Sequence, residues 1–218
     1  SVSRSGCLAA NGRSQMHLSG DFGETWQGIL YGKSYGLGDG LAIKFLSHDD
    51  SNQTIIATDA NSGDLYYSNN LGKDWESATG LIDIEHSLFE ESFGIHIVEE
   101  ATSNPMVLYA GYIQSKIKGQ DPHQLDEIEQ SPGMYKSIDG GMSWFPINNG
   151  LPDKDYSRNI SDIAVSKQNE NIVYINSLFD GLYYTVDGGE SWNHLKGELP
   201  AGMSWDDCGH TCVNEEGE

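Results

Sequence analysis

The sequence predicts an all-β fold in which one supersecondary unit is used repeatedly, and three observations carry that prediction. An eight-residue pattern, [ST]-x-[DN]-x-G-x-[TSD]-W, occurs four times in 218 residues. Short runs rich in β-branched and aromatic residues, bounded by Gly, Asn, Asp and Pro, flank every copy. No stretch shows a sustained helical period or 18 consecutive apolar residues, so almost no helix and no membrane insertion are expected.

The first copy carries Ser19, Asp21, Gly23 and Trp26, and the second Ser68, Asn70, Gly72 and Trp75. The third carries Ser137, Asp139, Gly141 and Trp144, and the fourth Thr185, Asp187, Gly189 and Trp192. They follow short β-rich runs at residues 16–18, 65–67, 134–136 and 182–184, and a further run begins at each Trp. That is a hairpin signature in which Asp or Asn and Gly supply the turn. The acidic or amide side chain can accept from backbone N–H groups, Gly permits a positive φ, and the Trp folds back as an apolar plug. Asn70 keeps the acceptor but loses the charge, so the second copy is expected to work as a turn and not as a charged site.

These residues resemble the Asp-box repeats, also called bacterial neuraminidase repeats, and the resemblance covers nearly the whole chain. The wording is closest to the xyloglucanase and sortilin-type repeats; sialidases and plastid photosystem-assembly factors carry them too. All are β-propellers, so the resemblance implies four-stranded antiparallel blades with the box as a structural turn on the blade rim, away from the active centre. On that reading Asp21, Asp139 and Asp187 are turn locks, not catalytic acids.

The boxes start at 19, 68, 137 and 185, giving intervals of 49, 69 and 48. The short intervals fit one four-stranded blade each. The long one carries an acidic, strand-poor insertion at residues 114–132. First strands are expected at residues 41–46, 93–98 and 161–166, second strands at 54–58, 106–112 and 171–176, and third and fourth strands on either side of each box. One propeller domain, residues 1–218, then divides into blades at about 41–80, 90–150 and 160–198. A closing blade joins about 1–30 to 205–214.

The N-terminal segment has room for a second strand near residues 6–10 but none for a first. Counting from Trp192 places the missing strand on residues 207–213. Four blades closed by mixing the two ends is the favoured reading, and closure removes edges that invite aggregation. The alternative is part of a larger propeller, completed by further residues or a second chain.

Net charge is −21, from 33 acidic and 12 basic residues. Such a chain repels phosphate backbones, so nucleic acid is not an expected partner. The three cysteines, Cys7, Cys208 and Cys212, all fall in the closing blade. A bridge from Cys7 to either of the others, or between those two, would staple it in an oxidising compartment and leave one thiol. Sequons at Asn52 and Asn159 are as many as chance supplies. Residues 1–30 lack a basic-then-apolar leader, as expected of a mature secreted chain or an excised domain.

In propellers of the kind implied, the boxes share one face with the turns between first and second strands. The other face carries the loops after the fourth and second strands, and loops on a rigid scaffold are where binding usually occurs. That face is expected to present Tyr31, Tyr35, Phe89, Tyr156 and Phe179 beside Glu85, His86 and Asp180 as ligand-binding candidates. Aromatic platforms beside carboxylates suit sugar rings. Asp39 and Asp153 are the catalytic candidates, since two carboxylates at the right separation can act on a glycosidic bond. Asp121, Asp126, Glu127 and Glu129 crowd the insertion and are calcium candidates, although they lack the spacing of a recognised calcium loop. No cofactor is required on this reading.

Sialidase activity is not expected: the sialidases among the similar families hold the substrate carboxylate with three arginines, one in an Arg-Ile-Pro motif near the start, whereas this chain has only Arg4, Arg13 and Arg158 and no Arg-Ile-Pro. The expectation is a secreted or cell-surface propeller that binds a glycan or protein without catalysis. A xyloglucanase-like glycoside hydrolase module and a structural subunit that self-associates are the alternatives.

Overall fold

The structure, a computed structural model, describes residues 8–11, 16–29, 42–45, 54–58, 64–70, 72–81, 94–113, 132–152, 158–178 and 180–195. Fifteen strands and no helix lie among them. The N-terminal sheet comprises β1 (Leu8–Asn11), β2 (Met16–Ser19) and β3 (Gln27–Ile29). Three four-stranded sheets follow. The first is β4 (Ala42–Phe45), β5 (Ile55–Thr58), β6 (Leu65–Ser68) and β7 (Glu76–Ser77). The second is β8 (Gly94–Glu100), β9 (Leu108–Ile113), β10 (Met134–Ser137) and β11 (Phe145–Pro146). The third is β12 (Ile160–Val165), β13 (Val173–Ser177), β14 (Gly181–Thr185) and β15 (Asn193–His194).

Each sheet is an antiparallel meander in sequence order, as short period-2 runs between turn residues dictate. First and second strands begin and end within two residues of where the sequence places them. The fourth strands start one residue late in every blade, so the box Trp ends the turn instead of opening the strand. The reason is visible where the next seam forms. The Trp144 N–H donates to the Thr79 carbonyl (2.8 Å) and the Trp192 N–H to the Asn149 carbonyl (2.9 Å), both on the preceding blade.

Two apolar clusters hold the blades together. Ile56 and Leu65 of the first full blade pack with Ile95, Leu108, Tyr135 and Trp144 of the second. Tyr109, Met134 and Ile147 of the second pack with Ile160, Val173 and Trp192 of the third. Burying one such Leu, Ile or Met contributes about 1.5–3 kcal/mol. Strand β12 lies against both β8 and β9, and the approach is close at Gly111, where an added Cβ would stand 2.7 Å from the Ile160 side chain. The β8–β9 and β12–β13 ladders share a register shift near the start of the first strand, between Ile95 and Ile97 and between Ile160 and Asp162.

The architecture is all-β, with several antiparallel, propeller-type sheets. The N-terminal sheet has three strands, corresponding to second, third and fourth strands of a blade. The expected closing strand at 207–213, Cys7, Cys208, Cys212 and most of the 114–132 insertion lie outside the described residues.

Candidate functional site

The four boxes fold into one turn, built from the same atoms. The hydroxyl of Ser19, Ser68, Ser137 or Thr185 accepts from the N–H of Gly23, Gly72, Gly141 or Gly189 at 2.8–3.0 Å. The same hydroxyl donates to Oδ1 of Asp21, Asn70, Asp139 or Asp187 at 2.6–3.0 Å. That Oδ1 also accepts from the N–H of Thr25, Asp74, Ser143 or Ser191. The box glycines all take φ between 73 and 93°, which explains the residue type.

In three boxes the second carboxylate oxygen accepts the hydroxyl of Thr25, Ser143 or Ser191. These bonds favour the charged form. Thr25 and Ser19 hold the Asp21 carboxyl down at about 2, and Ser191 and Thr185 do the same for Asp187. For Asp139, burial pushes upward but the Ser143 and Ser137 bonds outweigh it, and the carboxyl titrates below its usual range. A carboxylate held ionised by three donors of its own turn is a poor general acid or base.

The second box corrects one expectation. Asn70 loses its own charge, but its Nδ2 donates to the Asp74 carboxylate at 2.9 Å, so a charge remains in the turn. The acid has moved to the position that holds a hydroxyl elsewhere.

The boxes also fix the faces of the blades. The Gly140 N–H donates to the Met106 carbonyl (3.0 Å) and the Gly188 N–H to the Asn171 carbonyl (2.9 Å). The third and fourth boxes are therefore each tied to the turn between the first and second strands of their own blade. By strand alternation, the second and fourth strands end toward the opposite face.

Asp180 is the one ligand-binding candidate among the described residues. It stands at the turn between β13 and β14, half-buried, with Tyr183 and His194. The Tyr183 hydroxyl donates to Asp180 Oδ2 at 2.7 Å, and His194 Nε2 lies 2.9 Å from the Asp180 carbonyl. The two rings tilt together with centroids 4.8 Å apart. Burial and the Asp180 carboxylate push the Tyr183 hydroxyl up, so it stays a hydrogen-bond donor.

Sequence reasoning missed Tyr183 and His194. The usable signal was register, since Tyr183 pairs His194 across the β14–β15 hairpin. The Tyr66 hydroxyl donates to Asp64 at 3.1 Å in the first full blade, a second case of an Asp near the same turn holding a third-strand Tyr. Asp180 is thus engaged in shaping its turn.

Arg158 adds a half-buried cation to this face. Its Nε donates to the Pro152 carbonyl at 2.7 Å, and its side chain passes Gly133, where a Cβ would meet it at 3.1 Å. Asn159, one of the two sequon asparagines, is 4% exposed, so its side chain is buried in the folded domain. Tyr31, Tyr35, Glu85, His86, Phe89, Tyr156 and Phe179 lie outside the described residues, as do Asp39 and Asp153. So do Asp121, Asp126, Glu127 and Glu129. Among the described residues no three acidic, His or Cys side chains gather to hold a metal.

Comparison with known proteins bears on the boxes and on the blades. The family described as BNR/Asp-box repeat matches residues 183–194, which hold the fourth box. No curated protein sequence matches the chain. Among solved structures, an ancestral GH74 enzyme superposes with a TM-score of 0.62 at 18% identity over 90% of this chain and 23% of its own. The GH74 xyloglucanase from Xanthomonas campestris gives 0.61 at 17% identity over 88% of this chain and 29% of its own. The GH74 enzyme of Niastella koreensis gives 0.54 at 20% identity, over 88% of this chain and 23% of its own. The chain spans about a quarter of the length of these enzymes. It is an all-β protein with propeller-type blades like those of these structures, and its residues 183–194 match the BNR/Asp-box repeat.

Proposed function

We propose that this chain is a non-catalytic binding module of an extracellular or cell-surface protein, and that it recognises a glycan or protein through the face opposite its boxes. The supporting observation is the saturation of the box carboxylates. Asp21, Asp139 and Asp187 accept from neighbouring N–H and hydroxyl groups of their own turns, which leaves the loop face to contact a ligand. On that face Asp180, Tyr183 and His194 form a pre-shaped polar and aromatic edge. Tyr31, Tyr35, Phe89, Tyr156 and Phe179 are the aromatic platforms on which sugar rings or apolar side chains would stack. The Xanthomonas neighbour is a xyloglucanase, which makes soluble xyloglucan the first polymer to try. Calorimetric titration with xyloglucan and a glycan array tests the reading. Binding is expected to be lost on combining Tyr35→Ala with Tyr156→Ala, and binding unchanged by that pair would refute the choice of face.

A second reading is a portion of a glycoside hydrolase, favoured by three neighbours that are all GH74 enzymes. Asp39 and Asp153 would then act as acid and base. Turnover of xyloglucan that disappears in Asp39→Asn or Asp153→Asn would select it over binding alone.

A further inference from the structure

Each full blade offers one face to the blade that follows, and the residues on that face are set by register. In the first full blade they are Ile56, Leu65, Tyr67 and Ala78; in the second, Tyr109, Met134, Lys136 and Ile147. The equivalence follows from the ladders, where Ile56 pairs Tyr67, Tyr109 pairs Lys136 and Tyr174 pairs Tyr184. It follows also from the Ala78, Ile147 and Leu195 N–H groups, which donate to the Leu65, Met134 and Leu182 carbonyls. The third blade therefore presents Tyr174, Leu182, Tyr184 and Leu195 in the same four places.

In the first two blades these places are covered. Ile56 and Leu65 are each 1% exposed, Tyr109 and Met134 0% and Ile147 7%. In the third blade Tyr174, Leu182 and Leu195 are 47, 42 and 40% exposed, with Tyr174 stacked on Tyr184 at 6.1 Å. The complementary side of the seam is the box Trp of the following blade. Trp144 and Trp192 are 3 and 4% exposed, sealed against the preceding blade, whereas Trp26 of the N-terminal sheet is 45% exposed. Phe22 beside it is 78% exposed and takes the place of Gly188, whose carbonyl accepts Lys136 Nζ across the seam at 2.9 Å. Among the described residues the molecule thus carries both halves of a blade seam, and neither half covers the other.

We infer that the outer face of the third blade docks onto the N-terminal sheet of a second copy of this chain, head to tail, through the same blade-on-blade packing that the molecule uses twice internally. Continuity with those two seams supplies the geometry: Trp26 of one copy takes the place of Trp192, and Leu182 of the other that of Met134. Charge opposes association at a distance and so restricts where contact can form. The chain carries −21 and two copies repel at a distance, so an uncharged patch of two Tyr and two Leu is where they can approach. Because the two surfaces differ, the interface is heterologous; it closes into a ring if the rotation permits and otherwise extends.

Sedimentation equilibrium from low to high micromolar protein, at physiological salt to screen the repulsion, tests this. The mass is expected to rise to twice that of the chain or beyond. Leu182→Lys and Trp26→Asp are each expected to remain monomeric alone, because each removes one half of the seam. Mixed in equal amounts they should form a species of two chains, since the intact Trp26 side of one meets the intact Leu182 side of the other. Cooperative urea transitions confirm that both variants fold, and Tyr174→Lys with Phe22→Asp replace either that does not. A monomer at every concentration overturns the inference, including one in which the Trp26 side chain is already shielded from quencher by closure within the chain. So does association that neither substitution weakens, or variants that fail to complement on mixing.

Discussion

The amide of Asn70 donates to the carboxylate of Asp74 at 2.9 Å, which exchanges the roles that an acid and a hydroxyl play in the other three boxes. There the third residue is an Asp accepting from the hydroxyl of Thr25, Ser143 or Ser191. Here the third residue is the donor and the seventh the acid. The turn therefore needs one charge and one neutral partner, with either order allowed. Asn70→Asp alone puts two carboxylates in hydrogen-bond contact and is expected to destabilise the domain by about 1 kcal/mol at neutral pH, modest because the pair is exposed. Asp74→Ser added to it rebuilds the Asp-and-hydroxyl arrangement and should recover that loss. Urea denaturation of the two single variants and the double one measures the coupling; additive effects would mean that the exchange carries no energy.

Acid should loosen the boxes in a defined window. Asp21 and Asp187 are held at about 2, below the ordinary 3.8, because Thr25 and Ser191 and the other box donors favour the charged form. A depressed carboxylate contributes stability that is present in full above its unfolded value and lost as pH falls through the folded one. The contribution is thus complete above about pH 4 and disappears toward pH 2. Asp187→Asn is expected to flatten the slope of stability against pH between those limits relative to the parent. Denaturation midpoints across that range check it, and an unchanged slope would remove Asp187 from the acid response.

Gly80 and Gly150, which follow the fourth strands of the first two full blades by a few residues, are predicted to be intolerant. Gly150 has φ +89°, and a Cβ there would stand 2.3 Å from the Trp192 carbonyl oxygen, a backbone atom that cannot swing aside. Gly80 repeats the arrangement against the Trp144 carbonyl. Gly150→Ala therefore combines left-handed strain with a backbone clash and should cost about 3 kcal/mol or more. Gly20→Ala is the control, because nothing lies within 4 Å of its Cβ; a shift within about 0.5 kcal/mol is expected. Thermal or urea unfolding of the two variants separates seam glycines from turn glycines.

The blades were legible because the box is local. Ser or Thr, Asp or Asn, Gly and the seventh residue lie within seven residues, and their bonds close inside that span, so composition and spacing carry the turn. The strands beside it followed from period-2 runs ended by turn residues. What the sequence could not show was non-local. Trp144 and Trp26 have the same box context, yet one is sealed by a neighbouring blade and the other is not. Reading that difference requires knowing which sheets touch. The candidate site was less legible still. Asp180 was chosen as a loop carboxylate, but its partners Tyr183 and His194 come from two different strands and meet it only through the hairpin register.

Phe22 should be separable into a cost in folding and a gain in association. It takes φ +60°, the left-handed region where the third and fourth boxes have Gly140 at +75° and Gly188 at +73°. A bulky side chain there is strained, by about 1–2 kcal/mol. At 78% exposure it recovers little by burial within its own chain. Phe22→Gly removes that strain, and the extra freedom glycine has in the unfolded chain returns about half of the gain. The monomer is then expected to be more stable by about 0.5–1 kcal/mol. If Phe22 also contributes to the head-to-tail seam, the same variant should associate more weakly. Urea unfolding at high dilution reads the first effect, and sedimentation equilibrium at high concentration the second. A variant that is less stable when dilute would show that Phe22 is held by contacts within its own chain, and an unchanged association constant would remove it from the seam.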